Sequence, residues 1–361
     1  MPATPESHSA RYFALLYASA TERSVLEALL GIEREVLDSL RIGLDHHVAH
    51  SRLQWWREEC ERATNGRPVH PLTRGLVSAL NAAGTSDGAA VAAASELSAL
   101  ATAAASTASA SVAPASVARA SVARASAASA GPAAAVPSAA LAADGTQLMV
   151  TASSAGLVAQ PRATGLARLS GLCGIVDVAI WDLAGATFET RRELDAYCER
   201  WAAGMIEPLV VPPAALPASA TGTTDWRALG AAMREVEFLT ELAREAHYGR
   251  IRLPLDELEH ADVDTSALAK PPWSDAITER LRARHESLRN NISRILIDVD
   301  REQQSALRGL LVWAALAWRS SQRAERALPD VLRPGRFDAI SDAWFAWRIA
   351  RRATIGRFRL N

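Results

Sequence analysis

Residues 225–249 read DWRALGAAMREVEFLTELAREAHYG, and this stretch decides the fold class. It lacks the alternation of a strand, and it closes on a glycine, the residue type that most often follows the last turn of a helix. The stretch therefore predicts one long helix from Asp225 to about His247. Three glutamates spaced four residues apart share one face of that helix: Glu237, Glu241 and Glu245.

The three glutamates carry like charges at helical spacing, which destabilises a helix by about 0.2–0.5 kcal/mol per pair. A solvated charged face is one interpretation of this stripe. Ion pairs with Arg234 and Arg244, which lie three residues from Glu237 and Glu241 respectively, are a second interpretation. A bound cation, which would relieve the repulsion, is the third.

Helical patterning continues on both sides of this stretch, and alternating strand patterns are rare. Thr190 and Glu193 have the spacing of a capping box at the start of a helix that passes through Trp201. The apolar run at 311–318 is expected to lie in the core. Further helices are predicted within 10–82 and at about 166–183, 274–298, 300–327 and 338–353. The sequence therefore predicts an all-α protein.

The stretch 84–161 differs in composition from the rest of the chain. It consists mainly of alanine, serine, threonine, glycine and valine, and it contains ASVAR twice in tandem from residue 115. Such a segment buries too little apolar area to offset the entropy of ordering it. We predict a low-complexity, disordered insertion there; a linker between two domains is the alternative. The predicted domain comprises 10–83 and 162–353, and a basic tail follows at 354–361.

The composition argues against several classes of protein. Across 361 residues, 39 basic residues balance 40 acidic ones, so a general nucleic-acid-binding protein is not expected. The cysteines Cys60, Cys173 and Cys198 are far apart and odd in number, which disfavours a disulfide framework or a cysteine-rich zinc module. The first residues lack the regions of a secretory signal. We expect a cytoplasmic protein with reduced thiols.

The C-terminal stretch from Trp344 to Arg359 combines aromatic side chains with five arginines. A helix of this composition can lie on an anionic membrane surface, so a peripheral location at the inner face of the membrane is one expectation. The aromatic side chains can equally pack inward and leave the arginines in water.

Four segments carry a likeness to a known family. They are RLQWWR at 52–57, the stretch from DL at 182 to AG at 203, the stretch from 230 to LP at 253, and the region 336–352. In their order and spacing these segments resemble the squalene/phytoene synthase family, and the resemblance covers most of the chain outside 84–160.

The resemblance implies a single helical bundle of the class I isoprenoid synthase type. Members join two prenyl diphosphates head to head, and Mg²⁺ is held by paired aspartates on two facing helices. Glu241 and Glu245 stand where the second aspartate pair is expected. The residues that the resemblance assigns to catalysis are Glu241, Glu245, Asp38 and Tyr197, and those assigned to substrate binding are Arg52, Arg57 and Glu237. Mg²⁺ is expected of an active member, and NADPH is left open as a second cofactor.

The first acidic helix departs from the family pattern. Alignment on Arg34-Glu35 puts Leu37 and Arg41 where the aspartates belong and leaves Asp38 as the acid beside them. A leucine cannot bind Mg²⁺, and an arginine opposes a cation. We therefore expect half of the metal site to be missing.

Two functional hypotheses follow. The first is a family member that binds a prenyl diphosphate, a lipid-like ligand or a protein partner with little or no condensation activity, similar to the non-catalytic respiratory complex I assembly factors of this fold. The alternative is an active prenyltransferase in which Asp38, Glu241 and Glu245 hold Mg²⁺. Glu35 and Asp38 facing the two glutamates would favour the enzyme, whereas Leu37 and Arg41 facing them would favour the first hypothesis.

Overall fold

The computed structural model describes residues 9–41, 43, 45–82, 166–210, 224–331, 335 and 338–360. Within these ranges the regular structure is entirely helical, so the all-α prediction is confirmed. The described helices belong to one compact unit, to which the chain on both sides of 89–159 contributes. The insertion predicted at 84–161 lies outside the described residues.

The helices are numbered here in chain order. The first four are α1 (Ala10–Tyr17), α2 (Ala20–Leu37), α3 (His46–Thr64) and α4 (71–82). The next five are α5 (Gly174–Leu183), α6 (Arg191–Met205), α7 (Trp226–Thr240), α8 (Leu242–His247) and α9 (Leu255–His260). The last four are α10 (Asp275–Ile297), α11 (Arg301–Ala306), α12 (Arg308–Ala327) and α13 (Asp338–Thr354). None of the described helices is long and apolar enough to cross a bilayer.

Helix α12 is the central element of the core. Its residues 309–317 are buried, and it packs against α1, α7, α10 and α13. Burial of one large apolar side chain stabilises a fold by about 1.5–3 kcal/mol, so this helix contributes strongly to stability. The core role predicted for 311–318 is confirmed through residue 317, and Trp318 is half-buried.

Small residues bring α5, α6 and α7 close together. A Cβ atom on Gly204 would lie 2.7 Å from the Ile175 side chain, and a Cβ atom on Gly230 would lie 2.6 Å from that of Ile206. These approaches are shorter than any normal contact between carbon atoms. The glycines therefore fix the distance between the helices that carry Trp201 and Glu237.

The long helix predicted from Asp225 to His247 is interrupted at Glu241, where φ is −106° and ψ is 8°. The Thr240 hydroxyl donates a hydrogen bond of 2.9 Å to the carbonyl of Glu237, which also accepts the Glu241 N–H. A side chain that shares a backbone acceptor in this way bends a helix. As a result Glu245 belongs to the short helix α8, on the far side of the irregular residue.

Two further helix predictions were too long. The helix expected at 166–183 is interrupted: residues 166–167 are helical, the hydrogen bonds of the following turns span three residues, and α5 begins at Gly174. The helix expected at 300–327 is divided at Leu307. There the Ala306 carbonyl accepts the Ser19 hydroxyl, and the Glu22 carboxylate accepts the N–H groups of Gly309 and Leu310. These contacts take the place of intrahelical bonds.

The predicted capping box at Thr190 is also wrong. Helix α6 does begin after Thr190, but the threonine side chain makes no capping hydrogen bond. The Glu193 carboxylate accepts the N–H of Glu189 instead, at 2.7 Å.

Candidate functional site

A cavity of about 610 Å³ lies between α1, the C-terminal end of α2 and α7. Its volume is within the usual range for small-molecule sites. The two helices that were predicted to carry the acidic motifs both contribute to it. Its lining residues are Ser9, Ala10, Arg11, Leu30, Glu33, Arg34, Leu37, Asp38, Arg234, Glu237, Thr240 and Glu241.

Two arginines and two glutamates on the cavity wall form a neutral cluster, which we call the ion-pair tetrad: Arg11, Glu33, Arg234 and Glu237. Arg11 donates to the Glu33 carboxylate and lies 3.2 Å from that of Glu237. Arg234 donates to Glu237 at 2.7 Å. The charges of these four side chains are therefore compensated within the cavity wall.

Three aromatic side chains contact the tetrad: those of Trp201, Trp313 and Phe238. The indole N–H of Trp201 donates to Glu33 at 2.9 Å. The guanidinium of Arg11 lies 5.4 Å from the ring centre of Trp313, and that of Arg234 lies 4.8 Å from the ring centre of Phe238. Guanidinium groups are attracted to aromatic faces at such distances, and the effect grows when water is excluded. The rings thus orient both arginines toward the carboxylates.

Two glutamates of the cavity, Glu237 on α7 and Glu241 just after the end of α7, have pKa values that are shifted in opposite directions. Burial raises the pKa of Glu237, but Arg11 and Arg234 outweigh it, so the pKa of Glu237 is lowered overall. Burial also raises the pKa of Glu241, and Arg244 offsets this only in part, so the pKa of Glu241 is raised. Glu237 is therefore held as an anion by its own arginines.

The three predicted metal ligands are not brought together. Asp38 and Glu241 line the same cavity, but Glu245 does not. Asp38 pairs with Arg41 at 3.0 Å, and Glu241 pairs with Arg244. In the described part of the chain, no group of three or more His, Cys, Asp or Glu side chains is placed to hold a metal ion.

The residues of this cavity do not fit the Mg²⁺ site that the family resemblance implies. Leu37 lines the cavity at the position of an expected aspartate. Two of the four cavity carboxylates are bound to Arg11 and Arg234. A cation placed between α2 and α7 would meet these guanidinium groups. An ion pair of Arg41 with Glu241 or Glu245 would have directly supported the hypothesis of a degraded metal site, but Arg41 pairs with Asp38 instead, so this support is missing.

Tyr197 lies in the core behind the cavity. Its hydroxyl donates to Asp182 at 2.9 Å, and Arg252 donates to the other oxygen of Asp182 at 2.7 Å. Burial raises the pKa of the Tyr197 phenol. The same Arg252 reaches Glu245 at 3.3 Å, which explains why Glu245 points away from the cavity. Tyr197 and Glu245 thus share an interior network that Tyr197 connects to Arg234 of the tetrad, and neither residue lines the cavity.

Arg52 and Arg57, predicted to approach a diphosphate, lie outside the cavity lining as well. Arg57 pairs with Asp177 of α5 at 2.9 Å. Arg52 lines a shallow surface depression together with Trp55 and neighbouring residues of α3. Of the residues predicted to bind substrate, Glu237 alone lines the cavity, and it does so as the partner of two arginines.

Sequence reasoning missed Arg11, Glu33 and Arg34. Glu33 carried a detectable signal, because it lies among Leu29, Leu30 and Ile32 on an apolar part of α2 and is itself buried. Buried carboxylates are nearly always paired, so this position called for a cationic partner. The partner itself, Arg11, lies 22 residues away in sequence and has no local signature.

Residues 157–338 match the family model for squalene/phytoene synthase. The chain belongs to the squalene/phytoene synthase family. The matched range contains α5 to α12 and therefore the second acidic helix. Helices α1 and α2, which contribute Arg11, Glu33 and Leu37 to the cavity, lie outside it.

A solved dehydrosqualene synthase in complex with a ligand is similar to this family member in fold. The alignment covers 95% of this chain and 92% of that chain, with a TM-score of 0.56 and 13% sequence identity. The likeness supports the predicted isoprenoid synthase bundle, and at this identity it concerns the fold alone. No curated protein sequence matches the chain significantly.

Proposed function

We propose that this squalene/phytoene synthase family protein binds an isoprenoid or similar lipid with an anionic head group and does not condense it with the help of Mg²⁺. The observation that carries the proposal is the ion-pair tetrad of Arg11, Glu33, Arg234 and Glu237, which lines the cavity between α2 and α7. Arginines here compensate the carboxylates that a metal ion would need.

The charges of the cavity wall support a function that does not depend on a bound Mg²⁺ ion. Mg²⁺ dehydrates reluctantly and requires oxygen ligands in near-octahedral geometry. To gain the Glu237 carboxylate, it would have to displace both Arg11 and Arg234. Breaking a buried ion pair costs about 3–5 kcal/mol, and the cost is lower here because the Glu237 side chain is 28% exposed, but it still opposes binding of the cation.

The remaining lining residues support an amphiphilic ligand. Leu30 and Leu37 offer apolar surface. Arg34 is exposed at the cavity and has no acidic partner among the described residues. A guanidinium group matches the geometry of a phosphate and needs no metal to bind it. We assign Arg34 to the head group and the two leucines to the chain.

Equilibrium binding of farnesyl and geranylgeranyl diphosphate, measured in EDTA and in Mg²⁺, tests the proposal. We expect equal affinity in both conditions. Arg34→Gln should weaken binding roughly tenfold, because a hydrogen bond to a charged group contributes about 1.5–3 kcal/mol. The matched control is Arg282→Gln, since Arg282 is exposed on α10 and does not line the cavity.

Pyrophosphate release distinguishes the alternative hypothesis. The reaction would contain Mg²⁺ or Mn²⁺, with and without NADPH, and would be repeated with the Glu241→Ala, Glu245→Ala double variant. Metal-dependent release that the double variant abolishes would establish an active prenyltransferase and contradict the proposal. Failure to bind either diphosphate or a phospholipid would contradict it too, and would leave the protein partner as the explanation.

A further inference from the structure

Helix α13 has two chemically different faces. Its inner face packs on α12 and α1 through buried residues such as Phe345 and Ile349. Its outer side carries large apolar side chains that are between 45% and 69% exposed: Ile340, Trp344, Trp347 and, just after the helix end, Ile355. At 100° per residue these four positions fall within an arc of about 80°. Arg351 falls within the same arc, between Trp347 and Ile355. The four apolar residues are called the outer stripe below.

Arginines accompany the outer stripe. The guanidinium of Arg348 lies 4.8 Å from the ring centre of Trp344, and that of Arg351 lies 5.5 Å from the ring centre of Trp347. Arg352, Arg357 and Arg359 follow along the chain. None of these five arginines forms an ion pair with the residues that the structure describes.

The acidic residues of α13 lie on its inner side and are already paired. Asp342 accepts from Arg323 at 2.7 Å and lies 3.2 Å from Arg319. Asp338 lies 3.5 Å from Arg323. Both arginine partners belong to α12. The outer side of α13 therefore presents apolar groups and uncompensated positive charge.

We propose that the outer stripe docks on the surface of an anionic lipid membrane. Tryptophan favours the boundary between head groups and acyl chains, because its ring is amphipathic. An arginine beside it can lay its aliphatic stem on the apolar layer and reach phosphate with its guanidinium. A helix of this kind lies in the membrane plane with its apolar face buried by about 5–10 Å.

Charge complementarity selects this occupant over a second copy of the chain. A two-fold pairing of outer stripes would place arginines opposite arginines, and the two acidic residues of α13 lie on its inner side, where they are already paired. Removing tryptophan from water would then be opposed by like-charge repulsion. An anionic bilayer offers both an apolar layer and negative charge to the same face.

Vesicle sedimentation of the full chain tests the proposal. The probes are vesicles of phosphatidylcholine alone and of phosphatidylcholine mixed with phosphatidylglycerol, each at low and at high salt. We expect binding to the anionic vesicles that decreases with salt, because surface charge is screened. The Arg348→Gln, Arg351→Gln double variant should lose about 25-fold in partition at low salt, since each basic residue contributes about a fivefold factor.

The partition of the tryptophan double variant Trp344→Ala, Trp347→Ala onto anionic vesicles should fall at least about tenfold. The fall should be the same at both salt concentrations, because the variant buries less apolar surface and keeps its charges. Trp55→Ala is the matched control, because Trp55 is exposed to a similar extent on α3. Arg192→Gln, Arg282→Gln is the matched control for charge, because both arginines are exposed and lie on α6 and α10. Circular dichroism confirms that each variant is folded.

Four results would overturn the proposal. Equal binding to both kinds of vesicle would remove the electrostatic argument. Undiminished binding of the tryptophan double variant would place the membrane contact elsewhere on the chain. A wild-type dimer that becomes monomeric in the tryptophan variant, without vesicle binding, would assign the outer stripe to a second copy; binding to an acidic protein alone would likewise replace the lipid.

Discussion

The Arg11–Glu33 pair is predicted to couple strongly in a double-mutant cycle. The variants are Arg11→Met, Glu33→Gln and their combination. Arg11 links Glu33 to Glu237, and Glu33 also accepts the indole N–H of Trp201. Glutamine retains an acceptor for that N–H, so the substitution removes chiefly the charge. Each single change leaves the tetrad with an uncompensated charge.

The magnitude follows from the burial of the pair. Removing one partner of a buried ion pair lowers the free energy of unfolding by about 3–5 kcal/mol. The Glu33 side chain is 5% exposed but that of Arg11 is 22% exposed, and water at Arg11 lowers the cost. We therefore expect about 2–3 kcal/mol for each single variant. The double variant leaves the neutral pair of Arg234 and Glu237, so its cost should be well below the sum, with a coupling energy of about 2 kcal/mol.

Urea unfolding followed by circular dichroism measures the four stabilities. The matched control is the cycle Asp38→Asn, Arg41→Gln, because the Arg41 side chain is 69% exposed. Exposed pairs couple by about 0.2–1 kcal/mol, so the control should give about 0.5 kcal/mol or less. A coupling energy for Arg11 and Glu33 no larger than that of the control would refute the reasoning that the tetrad is a buried electrostatic unit.

Three further predictions concern protons, thiols and cations. Burial, and then the charge of Arg289, lower the pKa of His285 to about 4. The contribution of neutral His285 to the free energy of unfolding is therefore fully present above about pH 6.5 and is lost as the pH falls toward 4. The loss should reach about 3 kcal/mol, and a His285→Gln variant should show a flatter dependence of Tm on pH. Cys173 is half-buried, and a hydrogen bond from Cys60 lowers the pKa of its thiol, whereas burial raises the pKa of Cys198. Cys173 should therefore react with iodoacetamide before Cys198. Peptide mass spectrometry that finds Cys198 modified first would contradict this prediction. Mg²⁺ should not stabilise the wild-type protein, because Arg11 and Arg234 already pair with the cavity carboxylates. A rise in the free energy of unfolding of about 1.4 kcal/mol, the value for a cation at tenfold excess over its Kd, would argue against the proposed function.

The fold class and several helices could be predicted because their signal is local. The patterns at 274–298 and 338–353 agree closely with α10 and α13, and the family likeness rested on short segments that each lie within one helix or two consecutive helices. The interruptions could not be predicted in this way. The division at Leu307 depends on Ser19 and Glu22, which lie almost 290 residues away in sequence.

The candidate site could be predicted only in part, for the same reason. Asp38, Glu237 and Glu241 do meet at one cavity, as the facing acidic helices suggested. The sequence gives no indication that Arg11 neutralises Glu33 and Glu237, since this contact joins segments 226 residues apart. Tyr197 and Glu245 were assigned by family position, and their actual partners, Asp182 and Arg252, were not foreseen.

The shape of the cavity and the chemistry of its wall depend on different features of this protein. The bundle positions α2 and α7 around a ligand-sized space, and glycines such as Gly230 fix the distance between α6 and α7. The chemistry depends on a few side chains projecting into the space. Leu37 contributes no charge to the cavity wall, and Arg11 and Arg234 compensate two of its carboxylates. Family membership therefore describes the bundle, and the lining residues decide what it does.

A single-turnover incubation tests the central claim most directly. The protein, in excess over radiolabelled farnesyl or geranylgeranyl diphosphate, is incubated with Mg²⁺, and pyrophosphate and apolar products are separated by extraction. We predict that the diphosphate is recovered intact, although it is bound. Conversion to pyrophosphate and a condensed hydrocarbon, dependent on Mg²⁺ and abolished by the Glu241→Ala, Glu245→Ala double variant, would contradict the account.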